Sequence, residues 1–147
     1  MNTQRWGTGP FDNTDALGIL AWLIDLEPAR SPILLSHALK RLSGRPTTEM
    51  LDEWTANEGI AAAVLVSILV GGPAAEQPYI TNWCANVNLD AWRTRDLVLH
   101  ARKAIWRAAH EIRNNEWATA LMIEGTFLKT TSELGPWRGH LASRCSA

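Results

Sequence analysis

Ile60-Ala61-Ala62-Ala63-Val64-Leu65-Val66-Ser67-Ile68-Leu69-Val70, closed by Gly71-Gly72-Pro73, is the stretch on which the fold turns. Ser67 is its one polar residue in eleven, and a helix that is apolar on every side belongs inside a protein, surrounded by other helices. A membrane span would need about 20 such residues, so the run is read as a buried core helix. Ala61-Ala62-Ala63 lets neighbouring helices approach closely. Upstream, the same pattern extends through Met50, Leu51 and Trp54, with Thr47 or Thr48 as the expected cap and a break or bend at Asn57 to Gly59.

Working outward, both flanks also follow the helical period. Asp12 and Asn13 are good caps for a first helix over 13 to 26. With Asp12 as the cap, Asp15 occupies the third helical position, where a carboxylate favours the helix dipole. Ser31-Pro32 opens a second helix over 32 to 43, stopped by Gly44. Residues 74 to 88 sustain no period and hold Pro78, Asn82, Asn86 and Asn88, which predicts a connecting loop. The longest helix is expected over 89 to 114, with Trp92, Leu97, Ile105 and Ile112 inside and Arg95, Arg102, Lys103, Arg107 and Arg113 mostly outside. Another follows over 115 to 131 with Trp117, Leu121, Phe127 and Leu128, and a short one after Gly135-Pro136 with Trp137 and Leu141. No alternating strand pattern is sustained, so the expectation is an all-α single domain over 1–147, a bundle of five to seven helices.

Composition narrows the function classes. Fourteen Lys and Arg against fifteen Asp and Glu leave a net charge of −1, far from the footprint of phosphate-backbone binding, so nucleic acid is not an expected partner and neither is a membrane. Cys84 and Cys145 are the only cysteines, and neither has C-x-x-C or Cys/His spacing. No metal or cofactor is expected, and a single disulfide between them stays open. The stretch Met1 to Gly7 has no leader-like apolar segment, which makes a soluble, cytoplasmic location the expectation. Eight of the eleven aromatic residues are Trp, most of them expected in the core.

The segment Trp6-Gly7-Thr8-Gly9-Pro10-Phe11-Asp12-Asn13-Thr14-Asp15-Ala16-Leu17 combines a Trp-Gly pair, a Phe and an Asn-rich acidic turn that opens a helix. It resembles the N-terminal signature of the bacterial family known as domain of unknown function 4259. Glu58-Gly59-Ile60-Ala61-Ala62-Ala63 is similar to that family's alanine-rich central helix, and Ser132-Glu133-Leu134 with Trp137 adds weaker support. The resemblance implies a small helical domain and no established activity.

Catalytic signatures are not found. His37, His100, His110 and His140 have no helical ligand spacing, and His110-Glu111 point about 100° apart on a helix. Ser67 and Ser132 lie in no nucleophile elbow, and Gly7-x-Gly9 lacks the rest of a dinucleotide fingerprint. The catalytic set is therefore none. The binding candidates are Trp6, Phe11, Asp12, Asn13 and Asp15 around the first helix start, with Tyr79 and Trp83 in the long loop, where an aromatic has less reason to be buried. Two readings follow. One is a non-enzymatic protein-binding or regulatory module, of which a toxin-neutralising immunity protein is one form. The other is a small enzyme or small-molecule binder using Asp12, Asn13, Asp15 and a histidine, for which a pocket of a few hundred Å³ reaching those residues is the discriminating feature.

Overall fold

A computed structural model describes residues 3–145; Met1 and Asn2, read above for a leader, lie outside them. Eight α-helices follow in order: α1 Thr14–Asp25, α2 Ser31–Ser43, α3 Glu53–Leu69, α4 Pro78–Ala85, α5 Ala91–Ala109, α6 Glu116–Glu124, α7 Phe127–Glu133 and α8 Gly135–Cys145. A 3₁₀ turn, Pro28–Arg30, precedes α2. No strand forms among the described residues, only two isolated bridges, so the all-α expectation holds with one helix more than its upper count. None of the helices is long and apolar enough to cross a membrane.

The apolar run does what its composition requires. Every residue of α3 from Thr55 to Ser67 is buried, and α1, α2, α5, α6 and α8 pack around it. Asn57 to Gly59 do not break the helix. The cap is Asp52, whose carboxylate accepts from the Thr55 backbone N–H at 3.0 Å, and neither Thr47 nor Thr48 serves. Burial would push the Asp52 carboxyl up, but the Thr55 N–H and hydroxyl and the nearby Arg45 charge outweigh it and hold it below the ordinary value.

Four expectations need correction. The stretch 74 to 88 contains α4, begun by Pro78 at its first position and anchored by Ile80 and Trp83 on one face. Eight residues are too few to show a period, and the Asn residues masked it. The helix expected over 89 to 114 ends at Ala109, because the Asn115 side chain takes the Ala108 carbonyl at 2.8 Å while its oxygen caps α6 through the Ala118 N–H at 2.9 Å. Ile112 is consequently exposed. Arg107, expected outside, is buried and donates to the carbonyls of Arg45 and Glu111 at 2.7 and 2.9 Å. The helix expected over 115 to 131 is two, divided at Gly125, whose φ of +76° lies in the left-handed region that favours glycine. Leu128, on the second, is 79% exposed.

Tryptophan is mostly outside the core. Trp83 and Trp117 are buried, whereas Trp6, Trp22, Trp54, Trp92 and Trp106 are exposed. Arginine covers two of them, Arg41 lying 5.3 Å from the Trp54 ring centre and Arg138 5.8 Å from that of Trp106. Trp92 lies in the first turn of α5, ahead of Leu97, where that helix first becomes buried. Cys84 and Cys145 are both free thiols, and burial pushes the Cys84 thiol up to about 11.

Candidate functional site

The N-terminal segment closes on itself before α1 begins. Trp6 N–H donates to the Asp12 carbonyl at 3.0 Å and Thr14 N–H to that of Gln4 at 2.9 Å, which pins both ends of a loop over residues 5 to 13. Inside it, the Asp12 carboxylate accepts from the Gly9 N–H at 3.0 Å. That carboxylate explains both glycines: a Cβ on Gly9 would come within 2.8 Å of Asp12 Oδ2, and one on Gly7 would press on the same oxygen. The Trp-Gly-Thr-Gly-Pro-Phe-Asp order is thus a loop built around one carboxylate.

Asn13, not Asp12, caps α1, its oxygen accepting from the Ala16 N–H at 2.8 Å. Asp15 consequently lies in the second position of α1 and turns inward. It accepts from the Thr3 hydroxyl at 2.6 Å and the Asn57 amide at 3.1 Å, and the Asn57 oxygen in turn accepts from the Trp117 indole N–H at 3.0 Å. A second tie is ionic. Arg5 reaches Glu53 at 3.4 Å and Glu124 at 3.2 Å, bridging the start of the chain to α3 and α6. Burial raises the Glu53 carboxyl even though Arg5 draws it down. Between these ties lies a small space of about 20 Å³, the size of one water, lined in part by Arg5, Asn13, Asn57 and Thr130.

The outer side of the same loop is one wall of an open groove of about 670 Å³. Gly7 to Asp12 form that wall, Pro73 to Gln77 form the second, and Lys129, Glu133, Pro136 and Trp137 from α7 and α8 form the third. Hydrogen bonds fix the walls to one another and to the core. Thr8 donates to Glu133 at 2.8 Å, the Trp137 indole N–H to the Pro73 carbonyl at 2.7 Å, and Ser67 to the Trp137 carbonyl at 3.2 Å. The charged lining consists of Asp12, Glu76 and Glu133 against Lys129, an excess of negative charge, and it includes no histidine.

Of the residues singled out from sequence, the groove brings together Phe11 and Asp12. Trp6 is exposed beside it without lining it, and Asn13 and Asp15 are committed to cap and core. Trp83, expected in a loop, lies on α4 and is buried, donating its indole N–H to the Leu23 carbonyl at 3.3 Å. Tyr79 is exposed and borders, with Trp83, a separate hollow at the end of α1. The residues missed were those of the other two walls. Gly71-Gly72-Pro73 and Gly135-Pro136 were legible as chain breaks, but their convergence on the first loop is a tertiary fact. Among the described residues, no group of three or more His, Cys, Asp or Glu is arranged to hold a metal ion.

No curated protein and no solved structure matches the chain. The family described as "Domain of unknown function (DUF4259)" matches residues 5–120, from the arginine that pins the first loop to the middle of α6, so that the wall from α7 and α8 lies beyond the matched region. The match spans well over half of the sequence, and the chain belongs to that family.

Proposed function

We propose that the chain is a non-catalytic protein-binding module that takes an extended, cationic segment of a partner protein in the groove beneath the Gly7 to Asp12 loop. The observation that carries this reading is the state of its carboxylates. Asp12 is held by the Gly9 N–H and Glu133 by the Thr8 hydroxyl, so two negative charges are fixed in place before any ligand arrives, with Glu76 exposed beside them. Preorganised groups of this kind favour recognition because binding costs little further ordering. Glycine, proline and alanine make up much of the rim, which leaves backbone amides and carbonyls within reach of an extended chain. Two free thiols, one with its ionisation opposed by burial, suit a reducing cytoplasm.

A second reading, a small amine as ligand, is favoured by one observation: about 670 Å³ lies within the usual range of small-molecule sites. Affinity measurements separate the two. A short Lys- and Arg-bearing peptide should bind the full chain, its Glu-bearing counterpart should not, and Glu76→Lys should weaken the basic peptide about fivefold or more through charge reversal. Spermidine binding more tightly than the peptide would favour the small-molecule reading. Equal affinity for the acidic and basic peptides would remove the charge argument that supports both.

A further inference from the structure

Two hollows lie end to end between α5 and α8 and meet at Leu99. One, of about 580 Å³, is bounded by Leu99, Trp106 and Arg138, and the other, of about 510 Å³, by Val98, Leu99 and Arg144. The α5 residues that line them recur every three or four positions from Ala91 to Arg107, so they form one stripe along about 24 Å of helix. None of these lining residues is shared with the groove described above.

Charge is partitioned sharply. Within α5 and α8, seven Arg and Lys stand against Asp96 alone, whereas the rest of the chain has seven Arg and Lys against fourteen Asp and Glu. Arg95, Arg102, Lys103 and Arg144 are exposed, and none forms an ion pair with a carboxylate of the described residues. Arg107 differs, being buried and bonded to backbone carbonyls. Between the cations lie two apolar side chains. Leu99 is exposed, and Trp106 is half exposed yet held in place, with His110 stacked on it at 4.3 Å and Arg138 over the ring. Seven residues separate them, two helical turns on one face, or about 10.5 Å along the axis.

We propose that this channel docks an acidic amphipathic helix of a partner protein. Two apolar side chains seven residues apart would seat on Leu99 and Trp106, with carboxylates on its flanks meeting Arg95, Arg102, Lys103 and Arg144. Charge complementarity selects the class. Cations flank Leu99 and Trp106, and the one carboxylate of the lining, Glu111, is paired with the buried Arg107 at 3.6 Å, which matches a helix with one apolar stripe between acidic flanks. A nucleic acid strand would set phosphates against that floor and, running past the channel, would meet a remainder of the chain in which carboxylates outnumber cations two to one. The length fits about sixteen helical residues, and two helical walls offer the ridges and grooves against which a third helix packs.

The test is selection of a display library of helical peptides about sixteen residues long against the full chain. Clones are then compared for binding to the wild type and to Arg102→Glu/Lys103→Glu, with thermal melts to verify folding. Arg95→Glu/Arg144→Glu, toward the other end of the channel, replaces that variant if it does not fold. The expected clones are rich in Asp and Glu with an apolar pair seven apart. They weaken about tenfold or more on charge reversal, and they weaken with salt. Basic or neutral clones, or clones indifferent to both variants, overturn the proposal. So does a sixteen-nucleotide single-stranded DNA or a phosphatidylserine vesicle that binds as tightly as the best clone. Sedimentation that shows a wild-type dimer dissolved by the variants assigns the face to self-association instead and equally overturns it.

Discussion

Asn57→Ala should be among the most damaging substitutions in the chain that remove no apolar volume. The Asn57 side chain is buried in the middle of the bundle, donating to the Asp15 carboxylate at 3.1 Å and accepting from the Trp117 indole at 3.0 Å, so it joins α1, α3 and α6 at one point. Removing it deletes a hydrogen bond to a charged group, a loss of about 1.5 to 3 kcal/mol, and strands a buried indole N–H, a further loss of about 1 to 3 kcal/mol. The two together come to about 2.5 to 6 kcal/mol, a large part of the roughly 5 to 15 kcal/mol that ordinarily holds a domain together. Urea denaturation followed by far-ultraviolet circular dichroism gives the difference directly, with an unchanged slope verifying that the unfolded state is comparable. Trp117→Phe keeps the ring and removes only the donor. In a double-mutant cycle it should therefore couple to Asn57→Ala by about 0.5 to 3 kcal/mol. A cost below about 1 kcal/mol for Asn57→Ala would refute the network as a structural tie.

The other predictions concern the caps and the loop. Asn13→Ala should cost about 1 to 2 kcal/mol in urea melts by removing the α1 cap, while Asp12→Ala should instead loosen the Gly7 to Asp12 loop, read as faster amide exchange at Gly9. Gly125→Ala should cost about 1 kcal/mol, and Gly125→Asn less, because the position requires φ of +76°. Asp52 has a folded-state carboxyl below its ordinary value, so its stabilisation is present above that ordinary value and is lost as the pH falls through the lowered one. Asp52→Asn, which keeps a capping oxygen but no charge, should be less stable than the wild type near neutral pH and lose less stability in acid; parallel acid limbs in pH-dependent thermal melts would contradict this.

Periodicity made α1, α2 and α5 legible because each runs long enough for burial to write its spacing into the sequence, whereas α3 was legible as an unbroken apolar run. It failed where elements are short or where backbone geometry intervenes. Eight residues of α4 hide among asparagines, and the division of α6 from α7 rests on the left-handed backbone of a single glycine, Gly125. Tryptophan misled for a different reason. Its size suggests the core, yet Trp54 and Trp106 lie on the surface under arginine, a pairing between residues distant in sequence that no local pattern announces. The site was legible by one wall only. Glycines around an Asp marked the first loop, whereas Lys129, Glu133 and Trp137 reach it through the packing of α7 and α8. Asp15, expected as a binding candidate at the helix start, is internal because Thr3 and Asn57 satisfy it.

The most direct test of the groove as a recognition site is a two-dimensional ¹H–¹⁵N spectrum of the labelled chain titrated with a short, extended, Lys- and Arg-bearing peptide. The Trp137 indole, bonded to the Pro73 carbonyl at the edge of the groove, and the amides of Gly7 and Gly9 are built-in reporters. The account predicts that these signals shift together and saturate, that the Trp106 indole between α5 and α8 does not move, and that Glu76→Lys weakens the response. Saturating shifts elsewhere on the chain, or no shift at those three positions at millimolar peptide, would contradict it.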